Sequence, residues 1–188
     1  MRKILFVALA IMACVSVKAQ NTDLKNEIGI YYGFGSASDI VSTYGEAFNV
    51  DAQTSFWGPI GLEYFHHVTP LIGVGGVASI AGCKYDHGYG SDVTLRSTYY
   101  TIMPAVKFDW LRREHFGLYS ELAAGVIIMS NTASGKPAKN ETLEDETTTN
   151  FMWQATAIGV EFGSAFRGFC ELGIGEKGIF CAGLKYKF

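Results

Sequence analysis

Hydropathy in this chain is delivered by alternation rather than by long apolar runs. Beyond the N-terminus no stretch reaches the roughly 18 consecutive apolar residues of a spanning helix. The longest candidate, Phe116 to Met129, is interrupted by Ser120 and Glu121. Apolar residues instead recur at every second position, the period of a strand whose two faces meet different surroundings. Reading those runs predicts strands at about 26–35, 54–66, 71–82, 95–110, 116–129, 151–163, 168–175 and 178–188. There are eight, an even number, and most match or exceed the 9–11 residues that a tilted membrane strand needs.

The apolar face can be followed from strand to strand. It runs through Ile28, Ile30, Tyr32 and Phe34, then Phe56, Ile60, Leu62 and Tyr64, then Ile72, Val74, Ala78 and Ile80. Tyr100, Ile102, Val106, Phe108 and Trp110 follow, then Phe116, Leu118, Leu122, Ala124, Val126 and Ile128. Met152, Ile158, Val160 and Phe162, then Cys170, Leu172 and Ile174, complete it before the last strand. No charge interrupts this face. The charges within the strands, Glu27, Glu63, Lys107, Asp109, Glu121, Glu161, Glu171, Lys185 and Lys187, fall on the other one, with Arg96 and Glu176 as exceptions at strand ends. A lipid-facing Lys or Arg costs roughly 2–4 kcal/mol at the bilayer midplane, so this phase suits a barrel with lipid outside and charges in the lumen. A soluble carrier barrel would place its charges outside. Gly29, Gly33, Gly61, Gly73, Gly75, Gly117, Gly125, Gly159, Gly173 and Gly183 share the charged face, as a narrow lumen requires.

The chain ends on a strand with apolar Phe180, Ala182, Leu184, Tyr186 and Phe188 alternating with Cys181, Gly183, Lys185 and Lys187. It begins with Arg2 and Lys3, an apolar run from Ile4 to Val17, and Val17-Lys18-Ala19 ahead of Gln20. That pattern predicts a signal peptide over 1–19 and a barrel domain over 20–188. The run of 14 residues is short of the roughly 20 that a membrane anchor needs. Cys14 in Ile11-Met12-Ala13-Cys14 offers an alternative lipidation site, with an atypical Met beside it. Long connections over 36–52, 83–94 and 130–150 alternate with short ones over 67–70, 111–115 and 164–167. The last hairpin turns tightly around Glu176-Lys177. Short periplasmic turns and long external loops are the membrane-barrel arrangement, and an even strand count puts both termini in the periplasm.

On these features the whole mature chain resembles the small eight-stranded outer-membrane β-barrel proteins of the OmpA/OmpX type. The resemblance implies an all-β, eight-stranded antiparallel transmembrane up-and-down barrel in the outer membrane of a Gram-negative bacterium. It also implies that Phe180, Leu184, Tyr186 and Phe188 form the C-terminal signal read by the barrel-assembly machinery. The longer relatives carry a peptidoglycan-binding domain after the barrel; with the sequence ending at Phe188, no cell-wall tethering is expected.

Loss of Arg2, Lys3 and Lys18 lowers Lys+Arg from 15 to 12 against 18 Asp+Glu, a mature net charge of −6 that argues against nucleic acid. Eight strands enclose a space that side chains can fill, so the inward charges read as a plug, with Glu27 near Lys185 or Lys187 across the closing seam. Six inward acids against three inward lysines leave an excess that would favour cations if the plug rearranged into a narrow ion path. No cofactor or metal site is expected. His66 and His67 are consecutive in a strand, so their rings diverge and read as interfacial. Asp86, His87, Ser91 and Asp92 have the residue types of a lipid A-modifying enzyme, yet nothing in their spacing sets a base beside a nucleophile. Glu141, Glu144, Asp145 and Glu146, following Lys136 and Lys139, lack calcium-loop spacing. They suit contacts with lipopolysaccharide-bridging cations or an extracellular ligand. Cys83, Cys170 and Cys181 read as small apolar fillers, the last two on opposite faces and so unable to pair.

Overall fold

A computed structural model describes residues 24–40, 52–87, 94–134 and 146–188. The expected signal peptide, Cys14, Ser91, Asp92, Lys136, Lys139, Glu141, Glu144 and Asp145 lie outside the described residues, as do the side chains of Asp86, His87 and Glu146. Eight strands form: β1 (Asn26–Phe34), β2 (Ala52–His67), β3 (Ile72–His87), β4 (Thr94–Arg112), β5 (Phe116–Ser134), β6 (Glu146–Gly163), β7 (Phe166–Gly175) and β8 (Phe180–Lys187). Each pairs antiparallel with its chain neighbours, and β1 closes onto β8 with Glu27 opposite Lys187 and Phe34 opposite Phe180. Closure leaves no strand edge along the seam, which is what lipid demands of a spanning sheet.

The strands leading to the long connections run further than the alternation predicts. β3 reaches His87 and β5 reaches Ser134, while β6 starts at Glu146, so much of 83–94 and 130–150 is strand rather than loop. Asp86 and His87 are ladder residues, opposite Gln53 and Ala52. The sheet is therefore lopsided, with 16 to 19 residues in β2 to β6 and 8 to 10 in β1, β7 and β8.

Two residues change face. The ladders shift between Trp57 and Ile60 and between Thr156 and Ile158. An extra residue at such a bulge inverts the alternation beyond it. Phe56 and Met152, expected to face outward, instead pack inward against Ala81, Cys83, Tyr99 and Ile127. Trp57, Phe151 and Trp153 take the outward positions. Further bulges in β4 and β6 flank β5 and are bridged from it on the outer face, where Ser120 Oγ donates to Ala157 O (2.6 Å) and accepts from Trp110 Nε1 (2.8 Å). Backbone groups freed in lipid must be satisfied within the protein.

Elsewhere the outer face follows the expected phase. Ile30, Leu62, Ile102, Leu122, Leu172 and Leu184 are all exposed, while Glu27, Glu63, Lys107, Glu121, Glu161, Glu171, Lys185 and Lys187 are buried inside. Tyr100 and Trp110 bound the apolar stretch of β4; ten steps of about 3.3 Å, tilted by about 40°, give a belt roughly 25 Å tall. The inward glycines face large neighbours rather than open space. Gly61, Gly159 and Gly183 sit against the rings of Tyr31, Tyr119 and Phe169, each on an adjacent strand, where a Cβ would overlap the ring. Aromatic rings laid over glycines on neighbouring strands thus fill the lumen.

Candidate functional site: the barrel lumen

Inward positions of every strand but β3 deliver charge to a space sealed from water, and that charge is arranged in layers. Nearest the termini, Arg167 Nη1 meets Glu161 Oε1 at 2.9 Å, while its other nitrogens donate to the carbonyls of Arg113, Glu114 and Ser164 at 2.7–2.8 Å. His67 Nε2 pairs with Asp109 Oδ2 at 2.7 Å, and Arg112 donates to the Leu24 carbonyl.

The middle layer holds three lysines. Lys107 Nζ lies 2.5 Å from Glu27 and 3.5 Å from Glu161, and Lys187 bridges the same two carboxylates, 3.2 Å from Glu27. Lys185 reaches Glu63 at 3.0 Å, Glu161 at 3.6 Å and Glu27 at 3.9 Å. Between them lies Tyr119, its ring centroid 4.0 Å from Lys107 Nζ and 4.5 Å from Lys185 Nζ, its hydroxyl donating to Glu171 at 2.6 Å. Ring faces and carboxylates together replace the hydration these ammoniums lost on burial.

The third layer is built around a residue from outside the strands. Lys177, in the β7–β8 turn, points its Nζ into the lumen, 2.7 Å from Glu171, 2.9 Å from Glu63 and 3.2 Å from Glu121. Oxygens of those three carboxylates lie within 4.8 Å of one another, a spacing that suits one cation, and the lysine ammonium supplies it. Its neighbour Glu176 is equally buried and accepts hydrogen bonds from Ser38 Oγ (2.8 Å) and Ser38 N (3.3 Å). Burial pushes this carboxyl up to about 7, against the lowering effect of the serine.

Every residue expected in the lumen network is therefore inside it, and the seam brings Glu27 to Lys185 and Lys187. Lys177, Arg112, Arg167, His67 and Glu176 join from positions assigned to turns, strand ends or the interface. His66 and His67 do diverge, but only His66 faces outward, bonded to Asn26 at 2.8 Å. With Lys177, Arg112 and Arg167 inside, seven buried acids, Glu176 among them, meet six cations among the described residues, so the expected excess of three acids shrinks to one. The one available signal was Gly175-Glu176-Lys177-Gly178, a turn whose paired glycines allow it to fold inward. Cys83 and Cys181 are buried and Cys170 faces out, and none of the three is in a disulfide.

No protein-family model matches the chain, and no curated protein matches it in sequence. Among solved structures it is similar to Ail, the attachment invasion locus protein of Yersinia pestis, in complex with the heparin analogue sucrose octasulfate. The TM-score is 0.51 at 16% identity, over 89% of this chain and 100% of that one. A second structure of Ail aligns over the same shares at 17% identity with a TM-score of 0.46. At this identity the likeness establishes the fold, that of the eight-stranded outer-membrane barrels.

Proposed function

We propose that residues 1–19 are an export signal and that residues 20–188 form an outer-membrane barrel with a closed lumen, a scaffold for surface interaction rather than an enzyme or a pore. The carrying observation is the lumen, where ion pairs, aromatic rings and the β7–β8 turn fill all three layers while the lipid-facing surface holds no charge within its apolar belt. Partners on this reading are lipopolysaccharide and other outer-membrane lipids, the barrel-assembly machinery that reads Phe180, Leu184, Tyr186 and Phe188, and a ligand outside the cell. The chemistry of that ligand follows from charge. The connections 35–51, 88–93 and 135–145 carry seven acids and two lysines, so their five-charge deficit favours cationic groups or bridging divalent ions. A polysulfated ligand such as the one held by the Ail structure would be repelled.

The test is single-channel recording of the refolded protein in planar bilayers, with its shifted migration on an unboiled gel as proof of folding. A folded barrel that stays electrically silent supports the closed scaffold; reproducible conductance steps would overturn it. Retention on heparin resin at physiological salt would overturn the assignment of a cationic partner.

A further inference from the structure

Among the described residues, Lys177 is the one lysine of the lumen network that does not project from a strand. Glu176 and Lys177 lie between Gly175 and Gly178, with φ of 134° and 111°, conformations open to glycine and strained for other residues. The two side chains serve different layers. Glu176 is held by Ser38, in the segment leaving β1, whereas Lys177 reaches the carboxylates of β2, β5 and β7. The turn backbone is tied mainly to two neighbours. Glu176 N donates to Trp153 O (3.2 Å), Lys177 N to Gln154 Oε1 (2.9 Å) and Gln154 Nε2 to Gly178 O (3.4 Å), which ties it to β6. Ile179 N donates to Phe34 O (2.9 Å) and Gly35 O (3.2 Å) at the end of β1, while Ile179 O accepts from Gly173 N (2.9 Å).

We propose that the β7–β8 turn is a retractable plug that closes the outer half of the lumen, with Gly175 and Gly178 as hinges, Lys177 as the bolt and the Ser38–Glu176 contact as the latch. Withdrawal of Lys177 leaves Glu63 paired with Lys185 but takes the only ammonium from Glu121 and Glu171, and carboxylates this close do not both remain ionised without a counter-charge. Retraction is therefore coupled to uptake of protons or a cation from solution. The middle layer stays on the wall, because Lys107, Lys185 and Tyr119 project from strands and Lys185 and Tyr119 keep their contacts to Glu63 and Glu171, so retraction opens an outer vestibule rather than a through-pore. That the vestibule faces the cell exterior rests on the outer-membrane reading above; the plug itself does not.

The chain carries its own reporter. Cys181 is 1% exposed on the inner face of β8, opposite Gly33 and Glu171 in register, within the half that the turn closes. In a Cys83→Ala, Cys170→Ala background, the folded barrel is treated with a small charged thiol reagent, and labelling of Cys181 is compared with the rate at which the gel shift is lost. Labelling faster than unfolding is expected. Ser38→Ala and Lys177→Met should each raise it about tenfold, as a tenfold larger open population requires. Arg167→Met, at the opposite end of the lumen, should leave it unchanged.

Labelling no faster than unfolding would overturn the plug, and so would a Ser38→Ala rate equal to the parent rate. An equal rise in Arg167→Met would overturn it too, by showing general loosening. Should Lys177→Met fail to fold, Ser38→Ala still decides, since it removes only the latch. Loss of the gel shift itself would instead count against the barrel reading.

Discussion

Gly159 has no room for a methyl group, because a Cβ there would overlap the Tyr119 ring. Gly159→Ala should therefore lower the urea midpoint for loss of the gel shift by the equivalent of about 1–3 kcal/mol, the usual cost of overpacking. Gly168, with nothing within 4 Å of its Cβ position, should tolerate the same change. Charge sets the other residue-scale expectation. Lys107→Met takes one of three shared ammoniums from Glu27 and Glu161, leaving Lys185 and Lys187, and should cost about 3 kcal/mol on the same measurement, the lower end of the penalty for breaking a buried network from one side. Glu176 gives a pH dependence of opposite sense to an ordinary paired carboxylate. Its partners are Ser38 and, at longer range, Tyr99 of β4, with Lys177 turned away to the layer below. A carboxyl raised from 4.5 to about 7 favours the fold when protonated. Its stabilisation is full below pH 4.5 and lost as pH rises through about 7. Melting of the turn region followed by hydrogen exchange should show this loss, and Glu176→Gln should flatten it; an unchanged profile in that variant would assign the dependence elsewhere. Sequence alone could place Glu63, Glu121 and Glu171 in the lumen, since strand period fixes their face. It could not place Lys177, because period says nothing about which way a turn folds.

At the scale of the element, strand number and pairing were legible because a buried-versus-lipid contrast repeats with period 2 over most of each strand. Bulges were not, because one extra residue inverts a face without altering composition. β6 shows both. Ile158 and Phe162 face lipid below its bulge, and Phe151 and Trp153 face out above it. A single phase drawn through Ile158 puts Met152 outside instead. Single cysteines at 151, 152 and 153 discriminate between the two. A lipid-soluble thiol reagent or a lipid-borne quencher should reach 151 and 153 and spare 152; the reverse pattern would remove the bulge. Strand ends were misplaced for a related reason. Above the belt the outer face no longer meets lipid, so residues such as Lys84, Arg96 and Thr132 continue the ladder without an apolar signal.

The whole molecule is asymmetric about its axis, and that asymmetry bears on the membrane around it. On β4 the apolar stretch from Tyr100 to Trp110 covers ten steps, whereas on β8 it covers eight, from Phe180 to Phe188. At about 3.3 Å per step and a tilt of about 40°, the belt is roughly 25 Å tall on one side and 20 Å at the β1–β8 seam. Aromatic pairs mark both ends of the seam, Phe34 with Phe180 at one end and Tyr186 stacked on Phe188 at the other, so side chains cannot readily extend it. A bilayer matched to β4 is thus about 5 Å too thick at the seam, and mismatch costs fractions of a kcal/mol per Å. Folding yield from urea into vesicles should therefore fall as phosphatidylcholine acyl chains lengthen. Replacing Gly35 by tryptophan would not rescue it, since Gly35 has φ of 66° and lies beyond the strand. Lipid-exposed Ile179, one step above Phe180, is the better site, and Ile179→Trp should recover yield in the thicker vesicles. Yield independent of chain length would mean that the seam does not thin the bilayer and that the belt is level all round.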